Sequence, residues 1–278
     1  MKTNRAFLSI LILSLLFIST SCDKEDIDNR PELPPVESLV MDFSDFQDNP
    51  ADIKGLAVPG KGVAEAYVNF VHAYLNVSFW NAFTTGSLLL PVSSYAYALQ
   101  QTPEYAGNDT WKWSYQFDID VLELSYTATL TGKRIDNETF SMEMNIALTS
   151  LPAVKFTYFD GVCRYDHTHA EWNLYKNVNG SSVKTIEVEW DKDFVAGDAS
   201  LRYTYVEPGQ VETNSYILWE YTPGADYNAA YTISLSTGMI NIEWDTTTKA
   251  GRVKDPANFE DDAWHCWNDL LMDITCPD

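Results

Sequence analysis

From Trp111 to Trp244 the apolar positions recur every second residue. WKWSYQFD puts Trp111, Trp113, Tyr115 and Phe117 on one face and Lys112, Ser114, Gln116 and Asp118 on the other. ELSYTATL and FSMEMNIAL repeat the alternation, as do Ile186-Val188-Trp190, Leu201-Tyr203-Tyr205, Ile217-Trp219-Tyr221, Tyr231-Ile233-Leu235 and Ile240-Ile242-Trp244. With two shorter runs around Phe156 and Trp172, this predicts about ten strands, each with one dry and one wet face. Turn signals separate them at Gly132, Asn179-Gly180, Pro208-Gly209 and Thr237-Gly238. Such strands joined by short turns make an antiparallel meander.

Two other stretches keep a different period. Residues 61–84 carry apolar side chains at 63, 67, 70, 71, 74, 77 and 80, which is helical spacing. Leu88 to Leu99 is a second apolar segment, and its Pro91 suits the first turn of a new helix. His72, beside the stripe, reads as a locally packed or hydrogen-bonded helix residue. Near the C-terminus, Trp264, Trp267, Leu270 and Leu271 fit one face of a short helix, where His265 has acids only on its own segment. The fold expected is mainly β: a curled antiparallel sheet packed on N-terminal helices, closed by a short C-terminal helix.

Lys2 and Arg5, the thirteen residues Ala6 to Ile18, and Ser19-Thr20-Ser21 have the order of an export signal over residues 1–21. The apolar stretch is too short to span a bilayer, which takes about 20 residues. Residues 22–58 are rich in acids and prolines and read as a tether. Residues 59–278 then form a single helix-plus-β domain. Cleavage would take Lys2 and Arg5 from the 18 basic side chains and leave all 40 acidic ones, a net charge near −24. That charge repels nucleic acid and anionic headgroups.

Cys22 at the cleavage point resembles the lipid-attachment cysteine of bacterial lipoproteins, although Ser19 and Ser21 stand where that family has Leu and Gly or Ala. Asp23-Lys24-Glu25-Asp26 resembles the acidic export tag of surface lipoproteins of Gram-negative bacteria. The resemblance implies fatty-acyl (palmitate-type) chains on Cys22 and display at the outer membrane, so the membrane is a partner through the anchor. In pattern alone, residues 60–278 resemble the half-barrel of periplasmic lipoprotein carriers, with no motif to carry over a functional residue. In an oxidising envelope the simplest pairing of the remaining cysteines is Cys266 with Cys276, leaving Cys163 free.

The segment DGVCRYDHTHAE gathers Cys163, His167 and His169, which could hold zinc, but it lacks a second ligand pair at set spacing. Glu187 with Glu189, and Glu243 with Asp245, offer paired carboxylates. They resemble the Glu-x-Asp-x-x-Glu strands of β-sandwich glycan hydrolases without the final Glu. The inner rows carry no charge, and most aromatics lie on them. Tyr and Trp tips need partners when buried, which suits either a Tyr- and Trp-rich core or a partly wet cavity. A cavity is expected where the helix meets the inward aromatics, at Tyr67, Tyr74, Trp80, Trp113, Trp190 and Trp219. The sequence thus points to a non-enzymatic, cofactor-free surface lipoprotein that binds an apolar or amphiphilic ligand on the concave face of the sheet. A glycan-binding or glycan-degrading protein is the second reading. A structural component of a surface complex, with a protein partner, is the third.

Overall fold

The period-two segments pair into one antiparallel sheet in strict chain order. The computed structural model describes residues 30–47, 65–152 and 154–277. The signal region, Cys22, the acidic tetrad and Val63 lie outside the described residues. Two helices come first, α1 (Ser44–Gln47) and α2 (Val68–Ala98). The first strands are β1 (Glu104–Gly107), β2 (Thr110–Ile119), β3 (Leu124–Arg134), β4 (Thr139–Leu148) and β5 (Phe156–Arg164). Then follow β6 (His169–Val178), β7 (Ser181–Lys192), β8 (Ala199–Tyr205), β9 (Tyr216–Tyr221), β10 (Ala229–Leu235) and β11 (Gly238–Trp244). β12 (Gly251–Lys254), the one-turn helix α3 (Pro256–Phe259), β13 (His265–Trp267) and β14 (Asp273–Ile274) complete the chain. Each strand pairs with the next, and the fourteen-stranded sheet is not closed.

The ten expected strands are β2 to β11. The other four are two to four residues long, too short for a period to show. Three further expectations need correction. Gly132 lies inside β3, not in a turn, and a Cβ there would come within 3.1 Å of the Trp113 ring. The missing side chain makes room for the indole. The C-terminal helix is absent: Cys266 and Trp267 are buried in β13, and the backbone pairs with β12 and β14. Pro91 starts no new helix, because α2 runs unbroken through it. A proline in a helix interior costs about 3 kcal/mol; burial of Leu88, Pro91, Ser94, Tyr95 and Ala98 around it offsets that cost.

α2 packs against β2 near one edge of the sheet and against β12, β13 and β14 at the other. Its first turn is held by Asp273 of β14, whose carboxylate accepts from the Val68 and Asn69 amides at 3.0 and 3.1 Å. This caps amide groups that a helix start leaves unsatisfied. Asn69 also donates to the Cys266 carbonyl at 3.0 Å. Toward the other end, the Tyr115 hydroxyl of β2 donates to the Ser94 carbonyl at 2.6 Å. His72 bonds Asp255 at 2.8 Å, and Asp255 also caps α3 through the Ala257 and Asn258 amides. Cys266 and Cys276 form a disulfide, and Cys163 is buried and free.

The tether expected through residue 58 fails over its described part, residues 31–47. Leu39, Met41, Phe43 and Phe46 are buried in the main core. Phe46 packs on Phe70, Tyr231 and Trp244 with ring centroids 4.9 to 5.9 Å apart. Burying such a side chain contributes about 1.5–3 kcal/mol. Inward Tyr and Trp tips fasten the same segment. Trp172 donates to the Ser38 carbonyl at 2.9 Å, Tyr95 to Pro34 at 2.7 Å, and Tyr203 to Leu39 at 2.9 Å. Tyr203 in turn accepts from the Met41 amide at 2.6 Å. Prolines and acids made the stretch look unstructured, but its few apolar residues fill the sheet.

Tyr203→Phe removes a buried donor and leaves both Leu39 O and Met41 N–H without it. Urea denaturation should show a loss of about 1–3 kcal/mol. Tyr216→Phe, at a half-buried outer position, should change stability by no more than about 0.5 kcal/mol. Equal effects would mean that Tyr203 does not fasten the segment.

Candidate functional site

The six aromatics expected to line a central cavity do not enclose one. Trp113 and Trp190 are buried in the core. Tyr67, Tyr74 and Trp219 are half-buried and packed against that core, with Trp219 stacked on Tyr221. The space they would have enclosed is filled by α2 and residues 31–47. Trp80 alone among the six lines an open cleft, and that cleft lies at the rim of the sheet.

The cleft has a volume of about 310 Å³. Phe79, Trp80 and Phe83 of α2 form one wall, and Tyr205 of β8, Val211 and Leu235 of β10 the other. The Trp80 ring meets Phe83 edge-on at 5.8 Å, and Phe83 meets Tyr205 edge-on at 5.5 Å. Phe79 and Val211 are 63% and 85% exposed, so the apolar lining reaches the surface. The polar side is pre-committed: Glu212 accepts from Ser215 and Ser236 hydroxyls, both at 2.7 Å, and from the Ser236 amide. These bonds, the Ser236 hydroxyl first, hold its pKa below the ordinary glutamate value. Glu212 therefore marks one end of the cleft with a fixed negative charge.

Trp80 is only 3% exposed, and its indole N–H has no hydrogen-bond partner. A buried donor left without an acceptor costs about 1–3 kcal/mol. Trp244 Nε1 and Tyr165 Oη share that condition, but neither lines this cleft. Among the described residues, Trp80 combines a place in an apolar cleft with an indole N–H that has no acceptor.

The carboxylates lie on the outer face. Glu171, Glu187 and Glu189 border a shallow trough of about 420 Å³ with Asn173, Arg202 and Thr204. Glu187 is paired with Lys184, Glu243 with Arg252 at 2.6 Å, and Glu189 sits opposite Arg202 and Glu171 in the sheet register. Glu243 is on β11, away from the trough. Asp160 accepts from Asn173 and Tyr175, and burial first and then Asp160 push the Tyr175 hydroxyl pKa up to about 12.

The zinc trio is not brought together. Cys163 points inward and its burial raises the thiol pKa. His169 lies on the opposite face, because Cys163 is in register with its neighbour Ala170. His167 occupies the β5–β6 turn and bonds the Glu32 carbonyl at 3.1 Å. Among the described residues no group of three or more His, Cys, Asp or Glu could hold a metal ion. His265 stacks on Phe259 and bonds Asp261.

A wider groove of about 630 Å³ runs past Arg164, His169, Asp191, Lys192, Glu220 and Tyr221. Its lining is mixed polar and apolar, and one pair on it is already made: His169 donates from Nδ1 to Asp191 at 2.7 Å. Its size exceeds that of the Trp80 cleft.

Sequence reasoning named Trp80 and missed the rest of its cleft. Phe79 carried a usable signal: a large apolar residue off the buried stripe of its own helix. No family model, curated protein or solved structure matches the chain.

Partial burial lowers the His169 pKa, but Asp191 and then Glu171 outweigh it, and the net shift is upward from 6.5. The stabilisation this gives is fully present below the unfolded value and is lost as pH rises through the folded one. An NMR titration should place the His169 midpoint above 6.5, and Asp191→Asn should lower it. A midpoint unmoved by that substitution would exclude the pairing.

Proposed function

We propose that this protein is a lipid-anchored, non-enzymatic component of a bacterial outer membrane, displayed at the cell surface, that holds a small amphiphile in the cleft beside Trp80. The leader and Cys22 support the location. The observation that carries the binding reading is the apolar cleft lined by Trp80, whose buried N–H lacks an acceptor. Apolar walls with a few placed polar groups are what such ligands require. The matching ligand has an apolar body for Phe79, Phe83 and Leu235 and an oxygen acceptor for the indole. The ligand sits at the rim, not at the centre of the concave face, because α2 and residues 31–47 fill that centre.

Native mass spectrometry of the envelope-purified chain, alone and with decanoic acid, tests this. One co-purified or added amphiphile per chain is expected. Trp80→Phe keeps the aromatic wall and removes the donor, so affinity should fall about 2- to 10-fold, the value of one net hydrogen bond. Val211→Asp puts a charge on an exposed apolar wall; it should weaken binding further and leave the melting temperature unchanged. A bare mass at saturating decanoic acid would refute the reading.

The outer trough bordered by Glu171, Glu187 and Glu189 favours the glycan reading as the second. Reducing-sugar release from polysaccharides, abolished by Glu189→Gln, would replace the first reading with that one. No release and no glycan binding removes it.

A further inference from the structure

The 31 residues of α2 contain no Asp, Glu, Lys or Arg, in a chain with 40 acidic and 18 basic side chains. A helix without charge on any side is ordinarily buried all round. This one is not. Val68, Leu75, Phe79, Leu89 and Tyr97 are 37% to 63% exposed. With Ala82 and Gly86, also exposed, they follow each other by three, four, seven or eight residues and so share one face. Contiguous exposed apolar surface of this kind marks a site that something covers.

We infer that this face of α2 lies against the lipid bilayer that holds the anchor. The inference rests on acylation of Cys22. Two observations select a bilayer over a second copy of the chain. The first is reach. Eight residues lie between Cys22 and Pro31, a span of at most about 30 Å even when fully extended. The chain that follows runs beside α2, where the Pro34 carbonyl accepts from Tyr95. An anchor at Cys22 therefore keeps Pro31 within about 30 Å of lipid. The second is charge. The outer sheet face carries Glu143, Asp160, Glu171, Glu187 and Glu189, which anionic headgroups repel. α2 itself contributes no carboxylate, and Glu212 at the end of the cleft is already held by Ser215 and Ser236. Tyr97 is of the side-chain type that settles at a membrane–water boundary, and Phe79 and Leu75 of the type that enters below it. The helix lies along that boundary; it does not cross it, since no described helix is long and apolar enough to do so. Docking in this way turns the Phe79 wall of the cleft toward the acyl chains, a direct source for its amphiphile.

The test uses the full chain purified from envelopes with its own acyl chains and reconstituted in phosphatidylcholine vesicles. Phe79→Cys, Leu75→Cys and, as reference, Val195→Cys are each labelled with bimane. Labelling is specific because Cys163 is buried and Cys266 is bridged to Cys276. Val195 is 98% exposed in the β7–β8 loop. With phosphatidylcholine brominated on its acyl chains, the labels at 75 and 79 should be quenched and blue-shifted, and the label at 195 unaffected. Unshifted, unquenched labels at 75 and 79 overturn the docking while anchoring and cleft binding stand. A blue shift without quenching also overturns it, because protein then covers the face. A protein that fails to float with the vesicles removes the anchor and the docking with it.

Discussion

A sheet whose dry face is studded with Tyr and Trp sets a demand that apolar packing alone cannot meet. Each hydroxyl and indole tip that loses water needs a partner, and a buried stretch of irregular backbone has the reciprocal need. In this protein the two needs cancel. The carbonyls of Pro34, Ser38 and Leu39 receive the tips of Tyr95, Trp172 and Tyr203, and Tyr203 repays the Met41 amide. Neither side is stable inside without the other: hydrophobic fillers would strand the tips, and an unpartnered loop would strand its backbone. This exchange lets residues 31–47 occupy the space under the sheet where a central ligand chamber was expected.

The same exchange explains the part played by α2. An open sheet of fourteen strands leaves β1 and β14 unpaired at its margins, and unpaired edges invite association. α2 reaches both regions, capped by Asp273 from β14 and bound to Tyr115 of β2. A helix meeting apolar neighbours along most of its circumference has little use for charged residues, and continuous burial tolerates the proline that would break a solvated helix. The cleft beside Trp80 lies where this filling ends, at the loop from Tyr205 to Ser215, with the indole itself buried beneath it.

What the sequence made legible follows from length and period. Ten strands of six to twelve residues show two or more repeats of the alternation. β1, β12, β13 and β14 are too short to show one, and Trp264 to Leu271 mimicked a helix because four bulky residues in eight satisfy several periods at once. The disulfide was legible because close spacing made Cys266–Cys276 the simplest of three possible pairings; its place between β13 and the residues after β14 was not. Residues 31–47 were misread because composition records how polar a stretch is, while its fate depended on Phe43 and Phe46 and on acceptors offered to partners 61 to 164 residues away. At the site, Trp80 followed from the helical stripe. Val211, Ser215 and Leu235 come from separate strands and loops, and only the three-dimensional path brings them to Trp80.

The distribution of charge is the last consequence. Alternation in the strands puts every second residue outward, and the outward rows of β4 to β7 are acidic, with Lys184 and Arg202 as partial compensation. α2 obeys no such alternation, and its uncovered strip is as apolar as its buried one. A chain this acidic keeps its copies apart through the strand face, since like charges at close approach are repelled over about a Debye length. Repulsion acts least where charge is absent, so α2 is where contact with an uncharged surface costs least. Covering Phe79 and Leu75 removes apolar area from water at about 25 cal/mol per Å², with no carboxylate on the helix itself to desolvate. The filler that closes the sheet from within is thus also the face best suited to be covered from without, and the Trp80 cleft opens along that line.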